Sequence, residues 1–114
     1  MSDNPDPGWQ ALFEFDFLEV GTPQRVVVEG RPPLAIFRLD DGCFVTDDTC
    51  THGLASLADG FIEGDEIECP WHSGRFCVRD GRATAVPAVD PVRAYKTRVI
   101  DGKVCIEDDP ALAS

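Results

Sequence analysis

The sequence predicts an all-β domain of short antiparallel strands joined by tight turns. Three observations carry that expectation. Asp-Gly or Gly-Asp pairs recur between apolar runs, at Asp41-Gly42, Gly64-Asp65, Asp80-Gly81 and Asp101-Gly102. Such pairs tolerate the positive φ that a two-residue hairpin turn demands, so between apolar runs they are among the best local hairpin signals. The runs between them are short and rich in β-branched and aromatic residues. Helix signals are weak: only "CTHGLASLADG" (50–60) has room for about a turn, and Gly60 breaks it.

Each element follows in order. Residues 1–8 ("MSDNPDPG") read as a flexible tail. "WQALFEFDF" (9–17) is dense in aromatics and suits a first strand and its exit, and "EVGTPQ" (19–24) is a turn. "RVVVEG" (25–30) predicts a strand closed by Gly30. Leu34–Leu39 and Cys43–Thr46 predict a hairpin about Asp41-Gly42. "GFIEGDEIECP" predicts a second hairpin about Gly64-Asp65, "RFCVRDGRATAV" a third at Asp80-Gly81, and "VRAYKTRVIDGKVCIED" a closing pair about Asp101-Gly102. There are no internal repeats or linkers, so the 114 residues form one domain, with a sandwich or barrel as its architecture.

The charge balance narrows the function. Asp plus Glu number 21 against 10 Lys plus Arg, a net charge of −11 with pI near 4.3. A surface this acidic repels nucleic acid and anionic lipid, and favours a partner with a basic face, though acidity also serves plain solubility. No stretch approaches the ~20 apolar residues of a membrane span. "MSDNPDPGW" has neither a basic nor a hydrophobic leader region, so no secretory signal is expected and the cytoplasm is the expected compartment. Five cysteines, an odd number, argue against a disulfide framework and leave metal binding as the leading use for any that cluster with histidine.

Both histidines of the chain lie in such clusters: "CTH" (50–52) and "CPWH" (69–72), with 16 residues between them. A Cys–His catalytic dyad needs one thiol and one imidazole, so two of each exceed its requirement. A structural zinc site remains a competitor, because Cys₂His₂ is a common tetrahedral set. Zinc sites, however, usually draw on Cys-x-x-Cys and His-x-x-x-His pairs, whereas each loop here supplies one Cys and one His. That mixed supply suits a binuclear centre with two unlike ends. The Rieske 2Fe–2S cluster is such a centre, with two His in place of two Cys on one iron.

On the C-x-H-x16-C-x-x-H spacing, the glycines Gly53 and Gly74 that follow the ligands and the downstream Pro87, the chain resembles the small Rieske-type ferredoxins of bacterial ring-hydroxylating dioxygenase systems. The resemblance runs from about Trp9 to Glu107. It implies the Rieske fold: an antiparallel β-sandwich with a cluster-binding subdomain, about residues 46–86, of two projecting loops. It implies one 2Fe–2S cluster, with Cys50 and Cys69 on the inner iron and His52 and His72 on the outer iron near solvent. Pro70 shapes the second loop, Gly53 and Gly74 let the backbone approach the sulfurs, and Pro87 stands in a third loop over the cluster. Gly53, Gly74 and Pro87 also have a plain reading as loop residues. Trp71 has two readings, a docking or shielding residue and ordinary loop packing. Cys43, Cys77 and Cys105, in apolar strand positions, are expected to be buried and inert.

Departures from the wider family carry information. Respiratory Rieske proteins have an additional Cys in each loop, forming a disulfide. Here Ala55 and Trp71 stand at those places. Gly74 and Phe76 stand where those proteins place hydroxyl donors to sulfur, and fewer donors lower the potential. The function implied is a monomeric one-electron carrier, not an enzyme. It passes electrons from an NAD(P)H-dependent ferredoxin reductase to the terminal oxygenase. Two alternatives stand beside it: the Rieske-like small subunit of an assimilatory reductase such as nitrite reductase, and a zinc-stapled binding module.

Overall fold

In a computed structural model the described residues are 8–51, 55–71, 74–86 and 90–107. They form eleven strands in three antiparallel sheets, so the all-β expectation holds. The first sheet has the order β1 (Trp9–Glu14), β11 (Lys103–Glu107), β10 (Thr97–Ile100). The second runs β2 (Gln24–Val26), β3 (Leu34–Leu39), β4 (Gly42–Asp47), β9 (Ala94–Tyr95). The third runs β5 (Phe61–Glu63), β6 (Glu66–Glu68), β7 (Arg75–Cys77), β8 (Ala83–Ala85).

Strand β3 explains how the sheets stack. Its sequence LAIFRL is apolar on both faces of the pleat, which is what a strand covered on two sides requires. Leu34 and Ile36 pack with Val45, Val104 and Ile106 toward the first sheet. Ala35, Phe37 and Leu39 pack with Leu57, Ile67, Phe76 and Val78 toward the third. The first two sheets make the sandwich, and the third lies against its other side. Phe37 has no exposed surface, so Phe37→Ala would cost on the order of 3–5 kcal/mol.

Several elements differ from expectation. The first strand stops at Glu14, and Phe15–Phe17 form a 3-10 turn in which Leu18 N–H donates to Phe15 O at 3.1 Å. The strand expected over 25–30 ends at Val26. Arg31 N–H turns back to Val28 O at 3.3 Å, Gly30 has φ +90°, and Pro32-Pro33 supply no N–H to a ladder. The helical turn expected within 50–60 is 3-10, Leu57–Asp59, ended by Gly60. All but Gly8 of the segment read as a flexible tail lies outside the described residues, as do His52, Gly53, His72 and Pro87.

Candidate metal centre

The two cysteine loops are built alike. Strand β4 runs into Asp48, Thr49 and Cys50. Cys50 N–H donates to Ala55 O at 2.9 Å, and Thr49 bridges Ser56. Strand β6 runs into Cys69, whose N–H donates to Gly74 O at 2.7 Å before β7 begins. In both loops the cysteine closes the neck with a bond to the carbonyl five residues on, leaving a four-residue tip. Both necks stand on one apolar floor. Cys50 and Cys69, 2% and 1% exposed, belong to a single buried cluster with Leu57, Ile67, Phe76 and Val92.

The necks are tied to each other and to the sandwich. Asp48, 2% exposed, receives Ala58 N–H on Oδ1 at 2.9 Å and faces Arg25 Nε at 3.3 Å, while its carbonyl accepts Leu57 N–H at 2.7 Å. The 3-10 turn that returns the first loop therefore hangs on Asp48. Gly60 follows that turn against the second neck: a Cβ there would lie 2.0 Å from Glu68 O, so no other residue fits without a shift. Segment 90–93 is held on three sides. Thr51 Oγ1–H donates to Asp90 O at 2.9 Å, Val92 N–H to Gly81 O at 2.8 Å and Asp47 N–H to Arg93 O at 2.9 Å. Gly81, with φ +82°, is required by that approach, since a Cβ would meet Val92 O at 2.0 Å.

The outer face of the second neck carries charge. The Arg75 guanidinium reaches Glu63 at 2.8 Å, Glu68 at 2.9 Å and Glu66 at 3.5 Å, and the hydrogen bonds to Glu63 and Glu68 raise its pKa. Behind the first neck, Tyr95 O–H donates to Asp47 Oδ1 at 2.5 Å. Burial, then that bond, pushes the phenol up to about 12.

Of the four sequence-predicted ligands, Cys50 and Cys69 are brought together on one floor, while His52 and His72 lie outside the described residues. None of the five cysteines is in a disulfide. Ala55, which is buried, and Trp71, which is exposed, have no thiol, so neither position can supply the additional bridge of respiratory relatives. Phe76 lies in the core with no exposed surface. Cys77 and Cys105 are buried as expected. Cys43 corrects the expectation in part, being only half-buried, with its thiol pushed up to about 11 by burial against the opposing pull of Arg38. All three lie outside the apolar cluster that holds Cys50 and Cys69. Sequence reasoning missed Asp48, Thr51, Gly60, Gly81 and Arg75. Only the glycines carried a signal, as turn residues whose close approaches involve distant segments.

Two buried thiols at matched necks fit the thiolate end of a 2Fe–2S cluster. The comparisons agree. The family model of the Rieske [2Fe-2S] domain matches residues 8–96. The chain is 39% identical to Ferredoxin CarAc of Metapseudomonas resinovorans over 86% of its own length and 92% of the relative's. It is 43% identical to the ferredoxin component of the naphthalene 1,2-dioxygenase system of Pseudomonas aeruginosa, over 85% and 89%. The solved Sphingomonas yanoikuyae B1 ferredoxin superposes with TM-score 0.85 at 40% identity, covering 88% of this chain and 98% of that one. A ferredoxin solved as a complex of oxygenase and ferredoxin in carbazole 1,9a-dioxygenase gives 0.83 at 36%, over 91% and 96%. Nitrite reductase small subunits, at 22% and 24% identity, share the fold alone. The chain belongs to the Rieske [2Fe-2S] family as one of its ferredoxins, an electron carrier with one Rieske-type 2Fe–2S cluster.

Proposed function

We propose that this chain shuttles single electrons from an NAD(P)H-dependent ferredoxin reductase to the terminal oxygenase of an aromatic-ring-hydroxylating dioxygenase system. It acts as a cytoplasmic monomer, one domain with residues of about 46–86 as the cluster-binding unit. Cys50 and Cys69 hold the inner iron as thiolates, and His52 and His72 hold the outer iron. When bound, the cluster supplies a one-electron ferric/ferrous couple. The chain's own contribution is to fix the two necks and exclude water from the thiolate end.

The observation that carries this reading is the equivalent placement of Cys50 and Cys69 on one apolar floor, each at the mouth of a four-residue tip. Ferredoxin relatives matched along most of their length support the system, and the oxygenase–ferredoxin complex supports the acceptor. Among the described residues no helix is long and apolar enough to cross a membrane. The test is reconstitution: purified chain, ferredoxin reductase, NADH and the terminal oxygenases of carbazole and naphthalene systems, with ring hydroxylation measured. The holo-protein should be brown-red with a Rieske EPR signal. His52→Cys or His72→Ala should abolish that signal, and Ser at Cys43, Cys77 or Cys105 should preserve it. A colourless zinc protein would refute the assignment.

A further inference from the structure

The two site cysteines come from two hairpins. Strand β4 leads from the turn at Asp40-Asp41 to the Cys50 neck, and β6 leads from the turn at Gly64-Asp65 to the Cys69 neck. The hairpins belong to different sheets, so among the described residues no strand ladder joins them. The apolar floor lies between them, but apolar burial is non-directional and sets no register. At the turn end the space between the hairpins is open: a cleft of about 610 Å³ lies there, with Leu39, Asp41, Ile62 and Asp65 in its lining.

Arg79 spans that cleft. Its Nη2 reaches the two carboxylate oxygens of Asp41 at 3.2 and 3.0 Å, and its Nε reaches Asp65 Oδ2 at 3.3 Å. The guanidinium also lies 4.9 Å from the centre of the Phe44 ring on β4. Asp41 and Phe44 belong to the hairpin of Cys50, and Asp65 to the hairpin of Cys69. The arm stands on a fixed base. Gly81 N–H donates to Cys77 O at 2.7 Å, Cys77 N–H to Arg82 O at 2.9 Å and Val78 N–H to Asp65 O at 2.8 Å. A lone exposed ion pair contributes little, whereas one planar cation gripping two carboxylates and a ring from a rigid turn forms a network.

From this bridge, and resting on the electron-carrier reading above, we infer that Arg79 is a positioning residue for the 2Fe–2S cluster. It locks the hairpin of Cys50 to the hairpin of Cys69 at the end opposite the necks, so that the two thiolates keep their separation. The cluster ties these hairpins at one end and Arg79 ties them at the other. Without Arg79 the cluster's own bonds must resist their relative motion, and the site opens more often.

Holo-proteins carrying Arg79→Gln, Asp41→Ala, both together, or Arg82→Gln test this. Arg82 is the control: it lies on the same turn and pairs with Asp80, so its loss removes the same charge without crossing between hairpins. The readouts are bleaching of the visible band in excess iron chelator, well below the unfolding temperature, and peptide hydrogen exchange. Arg79→Gln and Asp41→Ala should each lose the cluster about fivefold faster than wild type, and the double variant no faster than Arg79→Gln, because both remove one bridge. Added salt should speed loss more in wild type than in Arg79→Gln, since these exposed pairs are screened. Exchange of the β5–β6 hairpin should rise in the bridge variants, and that of β10–β11 should not. Arg82→Gln should match wild type, and the EPR signal and midpoint should be unchanged throughout. If Arg79→Gln and Asp41→Ala hold the cluster as long as wild type, or if their effects add in the double variant, the bridge is wrong while the carrier function stands. A shifted midpoint would also overturn it, because Arg79 would then act on the charge of the cluster and not on its position. If wild type takes up zinc and no 2Fe–2S cluster, the carrier reading itself fails and takes the bridge with it.

Discussion

Replacing Asp48 separates a held loop from a loose one. Its carboxylate, 2% exposed, accepts Ala58 N–H at 2.9 Å and meets Arg25 Nε at 3.3 Å. A hydrogen bond to a charged acceptor contributes about 1.5–3 kcal/mol, and removing the acceptor also orphans the Ala58 N–H. The Arg25 pair adds less than about 1 kcal/mol, because that side chain is half in solvent. Asp48→Ala should therefore cost about 2–4 kcal/mol. For a chain of this size, at roughly 4 °C per kcal/mol, that lowers Tm by about 8–16 °C. Asp48→Asn keeps an oxygen facing Ala58 and loses only the charge on Arg25, so its Tm should fall by no more than about 4 °C.

The assay is thermal unfolding of the holo-protein followed by circular dichroism and, in parallel, by visible absorbance. Because Asp48 anchors the turn that returns the Cys50 loop, the visible band should bleach before the far-ultraviolet signal in Asp48→Ala and together with it in wild type. An Ala variant that melts within about 2 °C of wild type would refute this account of the loop. An Asn variant as damaged as Ala would show that the charge, not the hydrogen bond, holds the site.

Other outcomes follow from the same geometry. Tyr95 is the only tyrosine, so absorbance at 295 nm titrates it directly: folded protein should ionise near 12 and denatured protein near 10. Both states hold the proton below pH 10, so its stabilisation is complete there and is lost as pH rises through 12. Tyr95→Phe should remove that alkaline component of the stability curve. Cys43, with its thiol near 11, should be about one part in a thousand thiolate at pH 8. Its alkylation by iodoacetamide, followed by peptide mapping, should rise tenfold per pH unit up to about 11, and labelling at pH 8 as fast as a small free thiol would contradict this. With Phe76 in the core and no bridge between positions 55 and 71, voltammetry should give a midpoint of about −150 mV, and a value near +300 mV would contradict it.

Local chemistry made most of the fold legible. The turns at Asp41-Gly42, Gly64-Asp65 and Asp101-Gly102 lie between the pairs of strands expected of them, because φ > 0 at a hairpin corner is a property of the corner alone. Gly42, Gly64 and Gly102 take that conformation themselves. The strand expected over 25–30 failed for the complementary reason. Val26, Val27 and Val28 have strong strand propensity, but β2 has only β3 to pair with, and Pro33 ends the partner's supply of N–H groups. Propensity describes a residue, whereas a strand needs a neighbour with free bonds.

The candidate site divides along the same line. The spacing of Cys50, His52, Cys69 and His72 could be read because a metal demands its ligands from short loops, and short loops are contiguous in sequence. What holds those loops to their surroundings could not be read, because the ties beyond each neck's own bond reach to other segments. Thr51 is bonded 39 residues away, Asp48 10 residues away, and Gly60 and Gly81 are dictated by the carbonyls of Glu68 and Val92. Each looks ordinary in its own neighbourhood: a loop threonine, one of two adjacent aspartates, two turn glycines. Their roles arise only when β5 to β8 fold over β3 and bring the two necks onto one floor. The residues that name the chemistry are therefore local, and those that hold its geometry belong to the tertiary structure.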